Sequence, residues 1–306
     1  MKIRLGQTYS FHQMGLRNYQ EDSRFPDDDK PDLGQRFFLV CDGVGGCDKG
    51  EVASQTVCEA FGKALENTDF DSGFSNEDFS RVLDSAYNAL DAKTDEKYKE
   101  MATTLTFICF HQGGCTMAHI GDSRIYQIRP SAGIVYRSED HSMVNSMVHN
   151  GILTPEQAIN HPQGNVITRY MEPVSPDGNR CLATVFSTKT IATGDYFFLC
   201  SDGVIKNLSD QILLEILSSN ENTQAKMTKI AEMSRNSEDN NTAFLIPVEE
   251  VISDPMPSSE GTDMSDDNSR TTKRIKVLQN MEEIESVQAS PTTINKLSNW
   301  IINLFK

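Results

Sequence analysis

The acidic residues that most constrain this chain lie in five short motifs separated by long stretches of sequence. The motifs are Arg17 with Glu21-Asp22, the run from Asp42 to Gly46, Gly121 to Arg124, Ser201-Asp202-Gly203, and Asp239-Asn240. Two carboxylates 4 Å apart repel each other by roughly 4 kcal/mol at an effective dielectric of 20. A fold that gathers four or five of them therefore needs cations, and carboxylate oxygens suit hard ions such as Mg²⁺ and Mn²⁺.

Apolar runs and helical patterns alternate along the first 248 residues. Residues 36–40 and 196–200 predict buried strands that lead directly to Asp42 and Asp202. Further strands are predicted over 103–111, 115–120, 124–129, 134–137, 180–188 and 242–248, and helices over 51–65, 143–150, 210–219 and 223–234. Ser75 and Thr154 predict the caps of two more helices, the first ending at Leu90. Strands joined by hairpins and mixed with helix pairs are typical of an antiparallel α+β domain.

The order and spacing of the motifs resemble those of the metal-dependent serine/threonine protein phosphatases, the type 2C or PPM family, in their bacterial form. The resemblance runs from about Gly6 to Val248 and includes the DGVGG run at Asp42, Asp140-His141-Ser142, residues 153–169 and residues 199–204. A single DGxGG run would be a weak signal, whereas eight elements in family order are specific. The resemblance implies two packed antiparallel β-sheets flanked by pairs of helices, with metals at one end of the sandwich.

The resemblance also implies a set of metal ligands. Asp42 would bridge two cations, with help from the backbone carbonyl of Gly43. Asp202 and Asp239 would ligate the first metal. The other readings, a glycine turn after a strand for Asp42, a turn aspartate for Asp202 and a helix or turn cap for Asp239, carry less weight because the motifs occur together.

Four more residues have implied roles around these ligands. Glu21 and Asp22 would serve the second metal or its water shell, and the sequence does not tell which of the two is closer. Asp122 is a candidate ligand for a third, weaker ion, with a purely structural role in its turn as the alternative. Arg17 would bind the substrate phosphate, since its planar guanidinium matches phosphate oxygens in a bidentate way; a surface ion pair is the alternative.

The implied reaction is hydrolysis of phosphoserine or phosphothreonine by a water shared between two Mn²⁺ or Mg²⁺ ions. Phosphorylated proteins are the expected substrates, and a serine/threonine kinase is the expected opposing enzyme. Two other functions stay open, namely a binding module that has lost turnover and a phosphatase of small metabolites. Val44 stands where some relatives carry a histidine proposed as the general acid, so this chain lacks that proton donor.

Composition excludes several other classes of protein. The net charge of −16 argues against a nucleic-acid partner, which would call for a basic patch. The seven cysteines are scattered without a CxxC pair, which argues against a zinc site or a disulfide framework. The N-terminus lacks the apolar run of a signal peptide, and no stretch approaches the length of a membrane span. We therefore expect a cytoplasmic protein.

Composition changes after Val248. We predict a phosphatase domain over residues 1–248, an acidic and then basic linker over 249–292, and an amphipathic helix over 293–306. The polar face of that helix is rich in asparagine and serine rather than lysine and arginine, so membrane binding is disfavoured. Docking on its own domain and binding to a partner protein are the two remaining interpretations.

Overall fold

The computed structural model describes residues 1–44, 49–94, 101–159, 161–173 and 180–252. The strands of the first sheet are β1 (Lys2–Leu5), β2 (Tyr9–Gln13), β7 (Arg124–Arg129), β8 (Gly133–Arg137), β10 (Tyr196–Cys200) and β11 (Asn241–Ile252). The strands of the second sheet are β3 (Ser23–Phe25), β4 (Phe37–Cys41), β5 (Leu105–His111), β6 (Gly114–Ile120) and β9 (Thr184–Thr188). The spatial orders are β1-β11-β10-β7-β8, with β2 also paired to β11, and β3-β4-β5-β6-β9.

The apolar strands β4 and β10 explain why the two sheets pack face to face. In β4, Phe38 and Val40 point into the layer between the sheets, whereas Phe37 and Leu39 point to the opposite face. Strand β10 alternates in the same way, with Phe197 directed towards the layer between the sheets. Because successive side chains of a strand point to opposite faces, a continuous apolar run is suited to a strand buried on both sides.

A pair of helices covers the outer face of each sheet. Helices α1 (Gly50–Leu65) and α2 (Asn76–Lys93) pack on the second sheet, and α6 (Asp210–Ser218) and α7 (Thr223–Ser234) pack on the first. Helices α3 (Met143–His149) and α4 (Pro155–Ala158) lie in the connection from β8 to β9, and α5 (Asp202–Ile205) follows β10 directly. The predicted sandwich of two antiparallel sheets with flanking helix pairs is confirmed.

Strand register brings the acidic motifs to one end of the sandwich. Ser23 pairs with Cys41 at the ends of β3 and β4. In the other sheet, Cys200 pairs with both Ala243 and Arg124. The five motifs directly precede or follow these paired residues in the chain, so they meet at the same end.

Several element boundaries differ from those predicted. The strands predicted from residues 103 and 180 begin later, at Leu105 and Thr184, and β11 continues to Ile252 through residues predicted as linker. The capping box of Ser75 with Asp78 is present at the start of α2, and Thr154 caps α4. The second half of the DGVGG run, residues 253–292 of the predicted linker, and the predicted helix over 293–306 lie outside the described residues.

None of the helices within the described ranges has both the length and the apolar character needed to cross a membrane.

Candidate active site

A cavity of about 460 Å³ opens at the end of the sandwich where the acidic motifs meet. Seven of the eight predicted site residues line it, and Asp22 is the exception. The seven are Arg17, Glu21, Asp42, Gly43, Asp122, Asp202 and Asp239. The cavity is therefore strongly acidic, with Arg17 and Lys206 as the basic side chains of its wall.

Asp42 is held at the end of β4 by its own backbone. Its N–H donates to Thr104 Oγ1 at 3.0 Å, and its carbonyl accepts from the Thr104 N–H at 2.8 Å. The next residue must be glycine, because a Cβ at Gly43 would lie 2.5 Å from the backbone of Gly50. Burial, and then the charges of nearby carboxylates led by Asp22 and Asp202, raise the pKa of Asp42 well above its usual range.

Asp22 lies behind the cavity wall, whereas its neighbour Glu21 faces the cavity. Asp22 is 3% exposed, and its Oδ2 accepts from Ser201 Oγ at 2.8 Å and from Thr242 Oγ1 at 2.7 Å. Burial raises the pKa of Asp22 to about 7, against the two hydroxyl donors, which lower it. Of the two acids that the sequence left undecided, Glu21 is thus the one that lines the cavity.

Two basic side chains, Arg17 and Lys206, contact the carboxylates of Asp202 and Asp239. Arg17 Nη2 lies 2.9 Å from Asp239 Oδ2, and Arg17 Nε donates to the carbonyl of Glu238 at 3.1 Å. Lys206 Nζ lies 2.8 Å from Asp202 Oδ2 and 2.8 Å from Asp239 Oδ2. The side chain of Glu238 itself is exposed.

The start of α5, which carries Asp202, is in direct backbone contact with the loop that carries Asp239. A Cβ at Gly203 would lie 2.0 Å from the carbonyl oxygen of Asn240, so only glycine permits this approach. The Asn240 side chain donates to the carbonyls of Met14 and Tyr19 at 2.8 and 2.9 Å. Asn240 thereby fixes both ends of the loop that presents Arg17.

Asp122 is tied to the histidine of the Asp140-His141-Ser142 motif through its neighbour Gly121. The Gly121 N–H donates to His141 Nδ1 at 3.1 Å, and the His141 N–H donates to the Gly121 carbonyl at 2.9 Å. Burial lowers the pKa of His141 to about 4, with His119 and Arg169 adding to the effect. Burial, then Asp202 and Asp140, raise the pKa of Asp122 to about 7. His141 thus organises this loop through its two hydrogen bonds with Gly121.

The chemistry of the acidic residues fits hard divalent cations. Asp22 Oδ1 and Asp202 Oδ1 are buried oxygens without a hydrogen-bond partner, and the charges of Asp202 and Asp239 add to the effect of burial in raising the pKa of Asp22. Among the described residues, no three His, Cys, Asp or Glu side chains are grouped tightly enough to hold an ion. Lys206 Nζ lies between two of the predicted ligands and contacts one oxygen of Asp202 and one of Asp239.

The sequence analysis missed two contributors to the site, Lys206 and Asn240. Lys206 stands four residues after Asp202, a spacing that places two side chains on the same face of a helix, so it could have been found. Asn240 was noted only as the neighbour of Asp239. Its role depends on carbonyls more than two hundred positions away in the chain, which no local pattern reveals.

We expect the metal-free protein to gain stability when Asp22 is neutralised. The native pKa of about 7 exceeds the ordinary value of 3.8, so between these pH values the native carboxyl holds a proton that the unfolded chain releases. The contribution of Asp22 to stability is thus complete below pH 3.8 and is lost as pH rises through 7. Asp22→Asn should raise the melting temperature in chelator at pH 8, and the gain should shrink towards pH 5. Thermal melts of wild type and Asp22→Asn measure this effect. A difference in melting temperature between the two proteins that did not change with pH would contradict the prediction.

Comparisons with known proteins agree with this arrangement. A family model described as protein phosphatase 2C matches residues 22–243, a range that includes Asp42, Asp122, Asp202 and Asp239. The chain is 32% identical to the protein phosphatase PhpP of Streptococcus pneumoniae over 226 residues, which cover 71% of this chain and 87% of that protein.

Solved structures show the same similarity. The crystal structure of the Mycobacterium tuberculosis serine/threonine phosphatase PstP/Ppp matches with a TM-score of 0.67 and 28% identity, covering 81% of this chain and 100% of that one. A structure of the PstP catalytic domain in complex with two manganese ions matches with a TM-score of 0.66 and 27% identity, with the same coverage of both chains.

Proposed function

Because the chain belongs to the protein phosphatase 2C family, we propose that the acidic cavity is where it hydrolyses its substrates. The protein is a metal-dependent serine/threonine protein phosphatase that uses two Mn²⁺ or Mg²⁺ ions. The observation that carries the proposed location is the meeting of seven of the eight predicted site residues in one cavity.

The ligand roles implied by the family resemblance are compatible with this cavity. Asp42, with the Gly43 carbonyl, would serve both ions, and Asp202 and Asp239 would serve one of them. Glu21, which lines the cavity, would serve the other, and Asp22, which does not line it, would act in the outer shell. Asp122 is the proposed ligand of a third ion. Two observations support these assignments. Asp22 and Asp202 each have a buried oxygen without a hydrogen-bond partner, and the pKa of Asp42 is raised by burial and by neighbouring carboxylates. A bound cation would contact such oxygens and would favour the ionised carboxylates.

The residues of the chain bind and orient the phosphate. When bound, the two cations supply the Lewis acidity that lowers the pKa of a water and neutralises phosphoryl charge. Arg17, oriented by the Glu238 carbonyl, binds phosphate oxygens and adds to this charge stabilisation. Val44 in the cavity wall has no acidic proton to donate, so the leaving serine or threonine oxygen takes its proton from another donor.

Hydrolysis of a phosphothreonine peptide tests the proposed function. We expect phosphate release with Mn²⁺ or Mg²⁺, none in the presence of a chelator, and much slower release from a small phosphorylated metabolite. A wild-type protein that is folded, binds Mn²⁺ and releases no phosphate from any peptide would favour a binding module instead. Preferential cleavage of the metabolite would assign it to the other class of phosphatase.

We infer further that the enzyme works in the cytoplasm on proteins phosphorylated by a serine/threonine kinase, and that residues 293–306 bind a partner protein. The similarity to bacterial protein phosphatases supports the first inference, and the amphipathic spacing from Ile294 to Phe305 supports the second. Deletion of residues 253–306 keeps all of β11. If the deletion left the co-purifying partners unchanged, the inferred role of the terminal segment would be wrong.

A further inference from the structure

Lys206 occupies the position of a cation between two proposed metal ligands. Its Nζ is 2.8 Å from an oxygen of Asp202 and 2.8 Å from an oxygen of Asp239. The side chain of Lys206 is 32% exposed and those of the two aspartates are 18% and 22% exposed, so all three are partly shielded from water. One ammonium thus contacts an oxygen of a carboxylate at the start of α5 and an oxygen of a carboxylate in the loop before β11.

The backbone fixes where this ammonium can go. The Lys206 N–H donates to the carbonyl of Asp202 at 3.1 Å, which keeps the lysine one turn beyond the aspartate on α5. Arg17, the other basic side chain of the cavity wall, pairs with the same oxygen of Asp239. Lys206 is therefore the cation that links the two carboxylates, and only its flexible stem has to rotate for it to leave.

We propose that Lys206 is an internal counter-cation that holds Asp202 and Asp239 while the site is empty and competes with divalent metal for the same oxygens. The proposal rests on the assignment of these two aspartates as metal ligands made above. A divalent ion and an ammonium on the same carboxylate oxygens repel each other, so metal binding must displace Lys206. The lysine therefore stabilises the metal-free protein and weakens its affinity for metal.

Binding of Mn²⁺ alone, without substrate, tests the competition. We expect Lys206→Met to lower the Kd for Mn²⁺ about tenfold, because two partly shielded ion pairs no longer have to break. Lys206→Arg, which keeps the charge, should bind Mn²⁺ within about twofold of wild type. In chelator, Lys206→Met should melt at a lower temperature than wild type. A Lys206→Met protein with wild-type Kd and wild-type melting temperature would overturn the proposal.

Two further proteins separate this proposal from the ligand assignment. Lys229→Met removes an ion pair of similar length, 2.7 Å to Glu221, from an exposed position, and should leave the Kd for Mn²⁺ unchanged. Asp202→Asn should weaken Mn²⁺ binding if Asp202 is a ligand. If Asp202→Asn bound Mn²⁺ as wild type does, the assignment of Asp202 as a ligand would be wrong. If Asp202→Asn bound Mn²⁺ more weakly but Lys206→Met did not bind it more tightly, only the proposed role of Lys206 would be wrong.

Chemical labelling of the Lys206 amine tests the displacement on the wild-type protein, without a variant that has to fold. The two carboxylates shield the Lys206 amine, and metal binding should release it into the open cavity. Acetic anhydride labelling read by mass spectrometry should therefore modify Lys206 more with Mg²⁺ than with chelator, with Lys229 as the internal reference. Equal labelling of Lys206 in both conditions would show that metal does not displace it.

Discussion

Replacing Asp42 with asparagine should abolish turnover and at the same time make the metal-free protein more stable. The charges of several other acids of the site, including Asp22, Asp202 and Asp122, act on the Asp42 carboxyl. Its burial, and then their charges, raise its pKa well above the usual range, so an ionised Asp42 opposes folding when no metal is bound. The neutral amide removes that repulsion and with it the proposed ligand of both ions.

We expect kcat/KM on a phosphothreonine peptide to fall by about 10³-fold or more in Asp42→Asn, because the contribution of metal ions to charge stabilisation is lost. The melting temperature in chelator at pH 8 should rise. Asp28→Asn, at an exposed acid of the β3–β4 connection, is the control and should change neither quantity. An Asp42→Asn protein that keeps its activity, or that melts below wild type in chelator, would contradict this account of the site.

Gly203→Ala should damage the fold and the metal site together. The added Cβ would lie 2.0 Å from the carbonyl oxygen of Asn240 and 3.2 Å from the Asp239 Cβ. Because the first neighbour is backbone, the two loops must move apart, which would separate Asp202 from Asp239. We expect the free energy of unfolding to fall by about 3 kcal/mol, the upper range for overpacking a tight site.

Urea denaturation in chelator and Mn²⁺ titration measure the two effects of Gly203→Ala. Gly34→Ala is the matched control, because no atom lies within 4 Å of its added Cβ. The control should show wild-type stability and wild-type Mn²⁺ affinity. If Gly203→Ala matched the control in both measurements, the close approach of the two loops would not constrain the site.

The sequence was sufficient for strands with a clear apolar pattern, either a continuous apolar run as in β10 or apolar residues interrupted by polar ones as in β7. Residues 124–129 and 196–200 were predicted with the bounds observed for β7 and β10. Strands β1, β2 and β3 were not predicted, because they have three to five residues with polar members. Strands β1 and β2 form by pairing with β11, more than two hundred positions away, and β3 by pairing with β4, so their structure depends on tertiary context rather than on local preference.

The same physical limit applies to the candidate site. Resemblance predicted which residues meet, and seven of them do line one cavity. It did not separate Glu21 from Asp22, because neighbouring residues in an extended chain point to opposite sides and a shift of one position reverses them. The ion pairs of Lys206 depend on where Asp239 lies, which only the folded chain determines.

The hydrogen bonds of Asp22 have a consequence for how the domain opens. Asp22 precedes β3 of one sheet, whereas its donors Ser201 and Thr242 belong to the β10–β11 region of the other. Separating the sheets at this end would break both hydrogen bonds together, so Asp22, Ser201 and Thr242 become exposed in one event. The amide protons around Ser201 and Thr242 should then exchange with solvent only when the whole domain unfolds. Local breathing at the far end would leave the catalytic apparatus assembled, so the enzyme would lose activity and structure in a single step on heating.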